Sequence, residues 1–354
     1  MGEELINFNP NGVGVVGGGF FSLPFTVESA RVVILSAPWD VTVSYGSGSA
    51  AAPEALKEAS SQLDLYDPSS HDAWREGIAT LPISKSIADL SAQLRPIAER
   101  VIEHLEAGGD IFDATIAESV AEVNRGSEEL NDYIYREAHK ILAAGKVVAL
   151  VGGDHSTPYG AIKALGEFYD SFGVLHIDAH RDLRVAYEGF EFSHASVMYN
   201  VLRDVEQVER LVQLGVRDYC DDEQEFSDNS NGRVVSFPDI SLARGRFEGE
   251  TWGAQARRIV ETLPQKVYVS FDIDGLQMGC CPHTGTPVPG GVEYNEAIYL
   301  LELLVESGRE IIGFDVVEVV PSETDVIDLA VGARLIYKLC GLAIKGSSQR
   351  AQIK

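Results

Sequence analysis

Three short segments of the chain carry side chains that bind metal ions. They are Gly152-Gly153-Asp154-His155-Ser156, Asp178-Ala179-His180-Arg181-Asp182 and Ser270-Phe271-Asp272-Ile273-Asp274. Each has an ordinary explanation when taken alone. A single His155 beyond two glycines that turn the backbone reads as a hydrogen-bonded loop residue, and Asp272 with Asp274 reads as a turn. In extended chain, however, Asp178, His180 and Asp182 point the same way. Ionised carboxylates are costly to bury unless paired or coordinated. The basic neighbours are only Arg181 and Arg184, and Arg181 is expected to face the other way.

The donors number two imidazoles and four carboxylates, without a thiolate. That mixture suits manganese or a similar divalent ion better than a structural zinc site. Six protein donors are more than one catalytic ion needs while keeping a position open. Two ions about 3.5–4 Å apart, bridged by carboxylates and a water, fit the number. Such a water loses a proton near neutral pH and becomes a nucleophile.

The elements that must position these groups alternate. Arg31–Ser36, Lys146–Val151, Gly173–Asp178, Lys266–Asp272 and Glu310–Val320 are short β-branched runs that read as buried strands. Helical patterns lie between them at Ala52–Leu63, Ile87–Glu106, Ala117–Ala144, Pro158–Phe168, Thr251–Leu263, Glu293–Ser307 and Asp325–Leu342. This alternation predicts an α/β fold, a mainly parallel sheet covered on both faces. Ligands of such sheets bind at the carboxyl ends of the strands, where all three segments fall. The segment Asp221–Gly249 is the most irregular and is too short to separate domains, so one domain over residues 1–354 is expected, with 1–30 as an N-terminal extension.

Composition narrows the partners. The 354 residues are 45% hydrophobic and 23% charged, as in a globular protein. A formal net charge of −26 repels phosphate backbones and favours cationic ligands, which argues against nucleic acid. No run approaches the roughly 18–20 apolar residues of a membrane span, and the N-terminus lacks the pattern of a signal peptide. Cys220, Cys280, Cys281 and Cys340 do not form a disulfide framework, so a cytoplasmic location is expected.

With these segments in hand, the sequence resembles the ureohydrolase family of arginase, agmatinase and related guanidino-compound hydrolases. The matching motifs are GGDHS (152–156), DAHRD (178–182), SFDIDGL (270–276), TGTPVPGG (284–291) and GFDVVEVVP (313–321), in the family's order over nearly the whole chain. The resemblance implies a three-layer α/β/α sandwich and an assembly of three or six copies. It implies two Mn2+, with Ni2+ as another possibility, held by His155, Asp178, His180, Asp182, Asp272 and Asp274.

Two further residues carry over by the same resemblance. Glu318 occupies the position that holds the guanidinium, where a carboxylate accepts parallel hydrogen bonds from the planar cation. His194 matches a histidine that shuttles protons. The leaving amine is strongly basic and must be protonated, by His194 or by Asp274. His176 reads as a hydrogen-bonded core histidine, and Asp315 is left outside the set.

The implied activity is hydrolysis of a small cationic guanidino compound to urea and an amine. Agmatine is the leading substrate; guanidine, guanidinobutyrate, arginine and formiminoglutamate are alternatives. A non-catalytic metal-binding relative is a separate class, disfavoured by the intact six donors. Single-metal deacetylases are another, disfavoured by the missing His-His pair. The family's Asp-Pro after DxDGL is replaced by Gln277-Met278, which puts specificity in doubt more than catalysis. The loop Pro38–Gly46 resembles agmatinase-like sequences, and its Trp39 and Tyr45 are read either as walls for a short substrate or as core packing.

Overall fold

The computed structural model describes residues 5–15 and 17–353, with the backbone alone for 348–353. Among the described residues, eight strands form one sheet: β1 (Val32–Ala37), β2 (Ile78–Thr80), β3 (Val147–Gly152), β4 (Phe172–Ile177), β5 (Val208–Leu214), β6 (Val234–Phe237), β7 (Lys266–Asp272) and β8 (Glu310–Val317). Their order is β2-β1-β3-β8-β7-β4-β5-β6, and every pairing between them is parallel.

The sheet is buried on both faces. Val32 and Ile34 enter one core while Val33 and Leu35 enter the other, so alternate residues of β1 serve opposite layers. That is why the strands read as continuous apolar runs rather than as alternating ones. Helices α1 (Ala52–Ser60), α8 (Trp252–Glu261), α9 (Tyr294–Glu306) and α10 (Ile327–Ile353) cover the first core. Helices α2 (Lys85–Glu106), α3 (Ala114–Ala143), α4 (Tyr159–Phe168) and α5 (Val197–Asp204) cover the second. The result is the expected three-layer α/β/α sandwich.

Some elements were not foreseen. The stretch read as irregular contains α6 (Asp221–Asp228), β6 and α7 (Asp239–Phe247). Leu242 is the buried residue of α7, so that helix carries no apolar stripe for a sequence pattern to reveal. The expected last strand is shorter than Glu310–Val320. It stops at Val317 because Glu318 adopts φ +59°, which a strand cannot accommodate.

Part of the expected N-terminal extension is packed on the body of the protein. Phe20 and Phe21 are buried; their amides donate to Thr80 and Ser60 side chains, each at 2.8 Å. Residues 1–4 and 16 of that extension lie outside the described residues.

Consecutive strands β3 and β4 are separated by β8 and β7, which enter the sheet later. The carboxyl ends of these four central strands therefore meet around one crevice, the place where an open α/β sheet binds its ligands.

Candidate metal centre

Each central strand delivers its chemistry through a tight exit. After β3, a Cβ at Gly153 would sit 1.9 Å from the Trp39 carbonyl oxygen, so no side chain fits there. Close approach, not a left-handed turn, is what this glycine provides, and Asp154 N then donates to that same carbonyl at 2.7 Å. After β7, a Cβ at Gly275 would lie 2.6 Å from Asp178 N, which locks the DxD turn against the end of β4.

His155 is the centre of the arrangement. Its Nδ1 lies 2.9 Å from Asp178 Oδ2, 3.1 Å from Asp182 Oδ2 and 3.2 Å from Asp272 Oδ2. His180 Nδ1 lies 3.2 Å from Asp274 Oδ2 and 3.4 Å from Asp178 Oδ1. All six expected donors are thus brought together. The four carboxylates and His155 are at most 4% exposed, and His180 is half-buried.

Two clusters of converging donor atoms result. One joins His155, His176, Asp178 and Asp182; the other joins Asp178, His180 and Asp274. Asp178 belongs to both, as a bridging carboxylate would. Asp272 is in neither cluster, although it reaches His155. The convergence does not come from simple alternation along a strand, as the sequence suggested. β4 ends at Ile177, and Asp182 takes φ +56°, so the segment curls to present its groups.

The protonation of His155 shows what the cradle suits. Its Nε2 lies 2.9 Å from Ser270 Oγ, and that hydroxyl donates to Asp315 Oδ1 at 3.1 Å. With its one hydrogen spent on Asp315, Ser270 accepts from His155 Nε2–H. A ring protonated at Nε2 alone would aim a bare Nδ1 at three carboxylates, and neither Nδ1 nor Asp182 Oδ2 makes a well-angled hydrogen bond. Lone pairs meeting lone pairs call for a cation.

Without a metal cation, a proton on His155 is the positive charge that these carboxylates hold. Burial opposes a charge on His155, yet Asp178, Asp182 and Asp272 raise its pKa well above the usual imidazole range. Burial, then Asp274 and Asp178, push Asp272 well above the carboxylate range. Burial, then Asp178, push Asp182 to about 6. The site is short of positive charge, and the oxygen and imidazole donors fit divalent ions.

Glu318, beyond β8, is buried and accepts from His155 N through Oε1 at 2.8 Å. Thr284 Oγ1 donates to its backbone carbonyl at 2.9 Å. Burial and then the neighbouring Asp154 raise its pKa well above normal, so a cation beside it would be favoured. His194 opens a short helical turn and donates from its backbone to Thr42 Oγ1 at 3.3 Å. Burial, then the charges of His180 and His155, lower its pKa to about 3, which leaves a neutral ring.

A cavity of about 190 Å³ opens beside these groups. It is lined by His180, Asp182, His194, Ser44 and Thr286 together with Arg184, Tyr187, Asp218, Tyr219 and Glu223. Glu318 is not among the lining residues. Trp39 is fully buried and Tyr45 is 85% exposed, and neither lines this cavity. Gln277 and Met278 are also absent from the lining. The departure from the family's Asp-Pro thus lies outside the cavity lining, between the turn that carries Asp274 and the loop that carries Thr286. Cys281 is buried in the core and Cys280 packs against it.

Sequence reasoning missed the partners behind the donors. Ser270 looked like a strand residue, and Asp315 was set aside because it shares a face with Val317 rather than Glu318. Gln213 lies in β5, a strand outside the sequence expectation.

A parallel α/β sheet with a carboxylate-rich, two-histidine cradle at its central strand ends is compatible with a site for two metal ions. The arginase family model matches residues 30–341, and the chain belongs to that family. Among curated relatives, an N(1)-aminopropylagmatine ureohydrolase of Thermus thermophilus is 31% identical over 315 residues, 89% of this chain and 91% of that one. An agmatinase of Bacillus anthracis is 27% identical over 299 residues, 83% of this chain and 85% of its own. The fold matches proclavaminate amidino hydrolase from Streptomyces clavuligerus with a TM-score of 0.72 at 23% identity, covering 95% and 100% of the two chains. No helix among the described residues is long and apolar enough to cross a membrane.

Proposed function

We propose that this chain hydrolyses a small cationic guanidino compound to urea and an amine, as an agmatinase-like enzyme whose leading substrate is agmatine. The observation that carries the reading is the convergence of three carboxylates on His155 Nδ1 at 2.9, 3.1 and 3.2 Å. His155, Asp178, His180, Asp182, Asp272 and Asp274 would hold two divalent ions, manganese first and nickel second. Such ions, when bound, supply Lewis acidity and activate water near neutral pH.

The chain's own residues do the rest. Glu318 would accept paired hydrogen bonds from the guanidinium and fix the plane of its carbon. His155 N, already donating to Oε1, restricts how that carboxylate can turn. His194 lines the cavity as a neutral ring, the form that can relay a proton to the departing amine. Asp274 is tied up by Ala179 N at 3.0 Å and faces His180, which leaves His194 the freer carrier.

The tail of the substrate would lie toward Asp218, an exposed carboxylate on the cavity wall. Glu223 there is already engaged by the amides of Leu183 and Cys220, each at 3.0 Å. Among the cavity-lining residues, the carboxylates of Asp182, Asp218 and Glu223 outnumber the one guanidinium, of Arg184, which favours a cationic tail. A one-domain chain, assembly into three or six copies and a cytoplasmic location complete the reading.

The deciding experiment is urea release from agmatine, aminopropylagmatine, arginine, guanidinobutyrate and guanidine, with manganese or nickel added. Agmatine is expected to give the highest kcat/KM. Urea from none of them would sink the proposal. Preference for guanidine would keep the chemistry and remove the tail assignment.

A further inference from the structure

His176 stands on β4, two residues before Asp178, and is fully buried. Its Nε2 lies 2.7 Å from Asp178 Oδ2, and its Nδ1 lies 3.1 Å from Gln213 Nε2. The Gln213 amide decides which ring nitrogen carries the hydrogen. Gln213 Nε2 donates to the Arg181 carbonyl at 2.8 Å, while Oε1 accepts from Arg181 Nη1 at 3.2 Å and from Ser236 Oγ at 3.1 Å. Turning that amide over would set oxygen against oxygen and nitrogen against a guanidinium, so its orientation is fixed.

The remaining hydrogen of Gln213 Nε2 points at His176 Nδ1, which must therefore accept. A doubly protonated ring would put N–H against N–H. The hydrogen of the neutral ring is thus on Nε2 and is donated to Asp178. A nitrogen that carries this hydrogen has no lone pair for a metal. Proximity alone would make His176 a ligand, since it sits in the same cluster as His155, Asp178 and Asp182.

We propose that His176 is a positioning residue and not a metal ligand. Its Nε2–H holds Asp178 Oδ2, and Gln213 sets the tautomer that makes this possible. Asp178 is the carboxylate common to both donor clusters, and its Oδ1 is held by His180 N. Fixing both oxygens fixes the carboxylate plane, and with it the separation the two ions can adopt. Partners of this kind, one bond removed from the ion, typically alter metal affinity 10–100-fold.

The inference rests on the reading that the site holds two ions, and one titration separates the two claims. Metal-free full-length protein is titrated with Mn2+ by calorimetry, for wild type, His176→Phe, His176→Gln and Gln213→Leu, with metal-free melting temperatures recorded alongside. Wild type binding two Mn2+ upholds the functional reading; wild type binding none ends it and the inference together.

Given two ions in wild type, His176→Phe is expected still to take two, with affinity lowered about 10–100-fold. His176→Gln, whose amide can donate in the place of Nε2–H, should recover most of that loss, and Gln213→Leu should show a smaller fall. Binding of only one ion by His176→Phe would make His176 a ligand and overturn the proposal. Unchanged affinity with a lower melting temperature would make it core filler, which also overturns it. Should His176→Phe fail to fold, the other two variants decide: affinity lowered in Gln213→Leu and near wild type in His176→Gln upholds the proposal, and any other pattern rejects it.

Discussion

The backbone amide of His155 donates to the Glu318 carboxylate at 2.8 Å, so the proposed metal ligand and the proposed guanidinium holder share one rigid connection. Both residues leave the ends of adjacent strands, β3 and β8. Glu318 keeps this contact from a left-handed backbone, φ +59°, a conformation that costs a non-glycine residue of order 1 kcal/mol or more. Strain retained at a strand end that faces the site is consistent with a carboxylate held for function.

Glu318→Gln tests that role directly. Glutamine keeps an acceptor for His155 N but loses the charge and one acceptor for the guanidinium. Metal content, measured by elemental mass spectrometry, should stay at the wild-type level. kcat/KM should fall on the order of 100-fold or more, as when a charged, oriented contact to the reacting group is lost. Full activity would remove Glu318 from the site.

Asp272→Asn separates metal binding from folding. Asp272 is crowded by burial and by Asp274 and Asp178, which raise its pKa well above the usual range. A carboxyl with a raised folded-state pKa destabilises the metal-free fold at pH 7, where it must ionise or hold a proton at a cost. The metal-free variant should therefore melt a few degrees higher than metal-free wild type. With excess Mn2+ the order should reverse, and activity should be lost. A metal-free variant less stable than wild type would contradict the crowding argument.

The sequence disclosed the donors and hid what aims them. His155, Asp178, His180, Asp182, Asp272 and Asp274 stand out because charged and imidazole groups interrupt apolar strands. Glu318 and His194 needed the family resemblance, since one buried glutamate or histidine has no pattern of its own. Gln213 carries no sequence signal, and the matched motifs that contain Ser270 and Asp315 do not show that the two act together behind His155. Their roles depend on neighbours in other strands, and lateral contacts in a parallel sheet join residues far apart in the chain. The central strands were legible as continuous apolar runs. β6 was not, because three of its four residues are only half-buried and the strand is short.

Asp218 separates the possible tails. It is exposed and lines the cavity, so a protonated amine near it gains a screened, modest attraction. Asp218→Asn should raise KM for agmatine about 2–5-fold, equivalent to the roughly 0.5–1 kcal/mol of an exposed pair. KM for guanidine, which has no tail, should not change. Raising salt should reduce the wild-type advantage on agmatine and leave guanidine unaffected. Equal effects on both substrates would place the tail elsewhere.

Far from the site, Asp67 and Lys338 tie the segment before β2 to α10 and should govern acid stability. Burial opposes the Asp67 charge, but Lys338, Ser69 and the Ser70 amide outweigh it and hold its pKa below the usual carboxylate range. A lowered folded-state pKa means the ionised form is bound more tightly in the fold. The stabilisation is therefore present above the unfolded value, near pH 4, and is lost as pH falls toward the folded one. Asp67→Asn keeps an acceptor for the serines but loses the charge, and should cost about 1–3 kcal/mol at pH 7. Denaturant titrations at a series of pH values should show the gap between wild type and variant closing below pH 4. A gap that stays constant from pH 7 down to pH 3 would mean the charge on Asp67 contributes nothing to the fold.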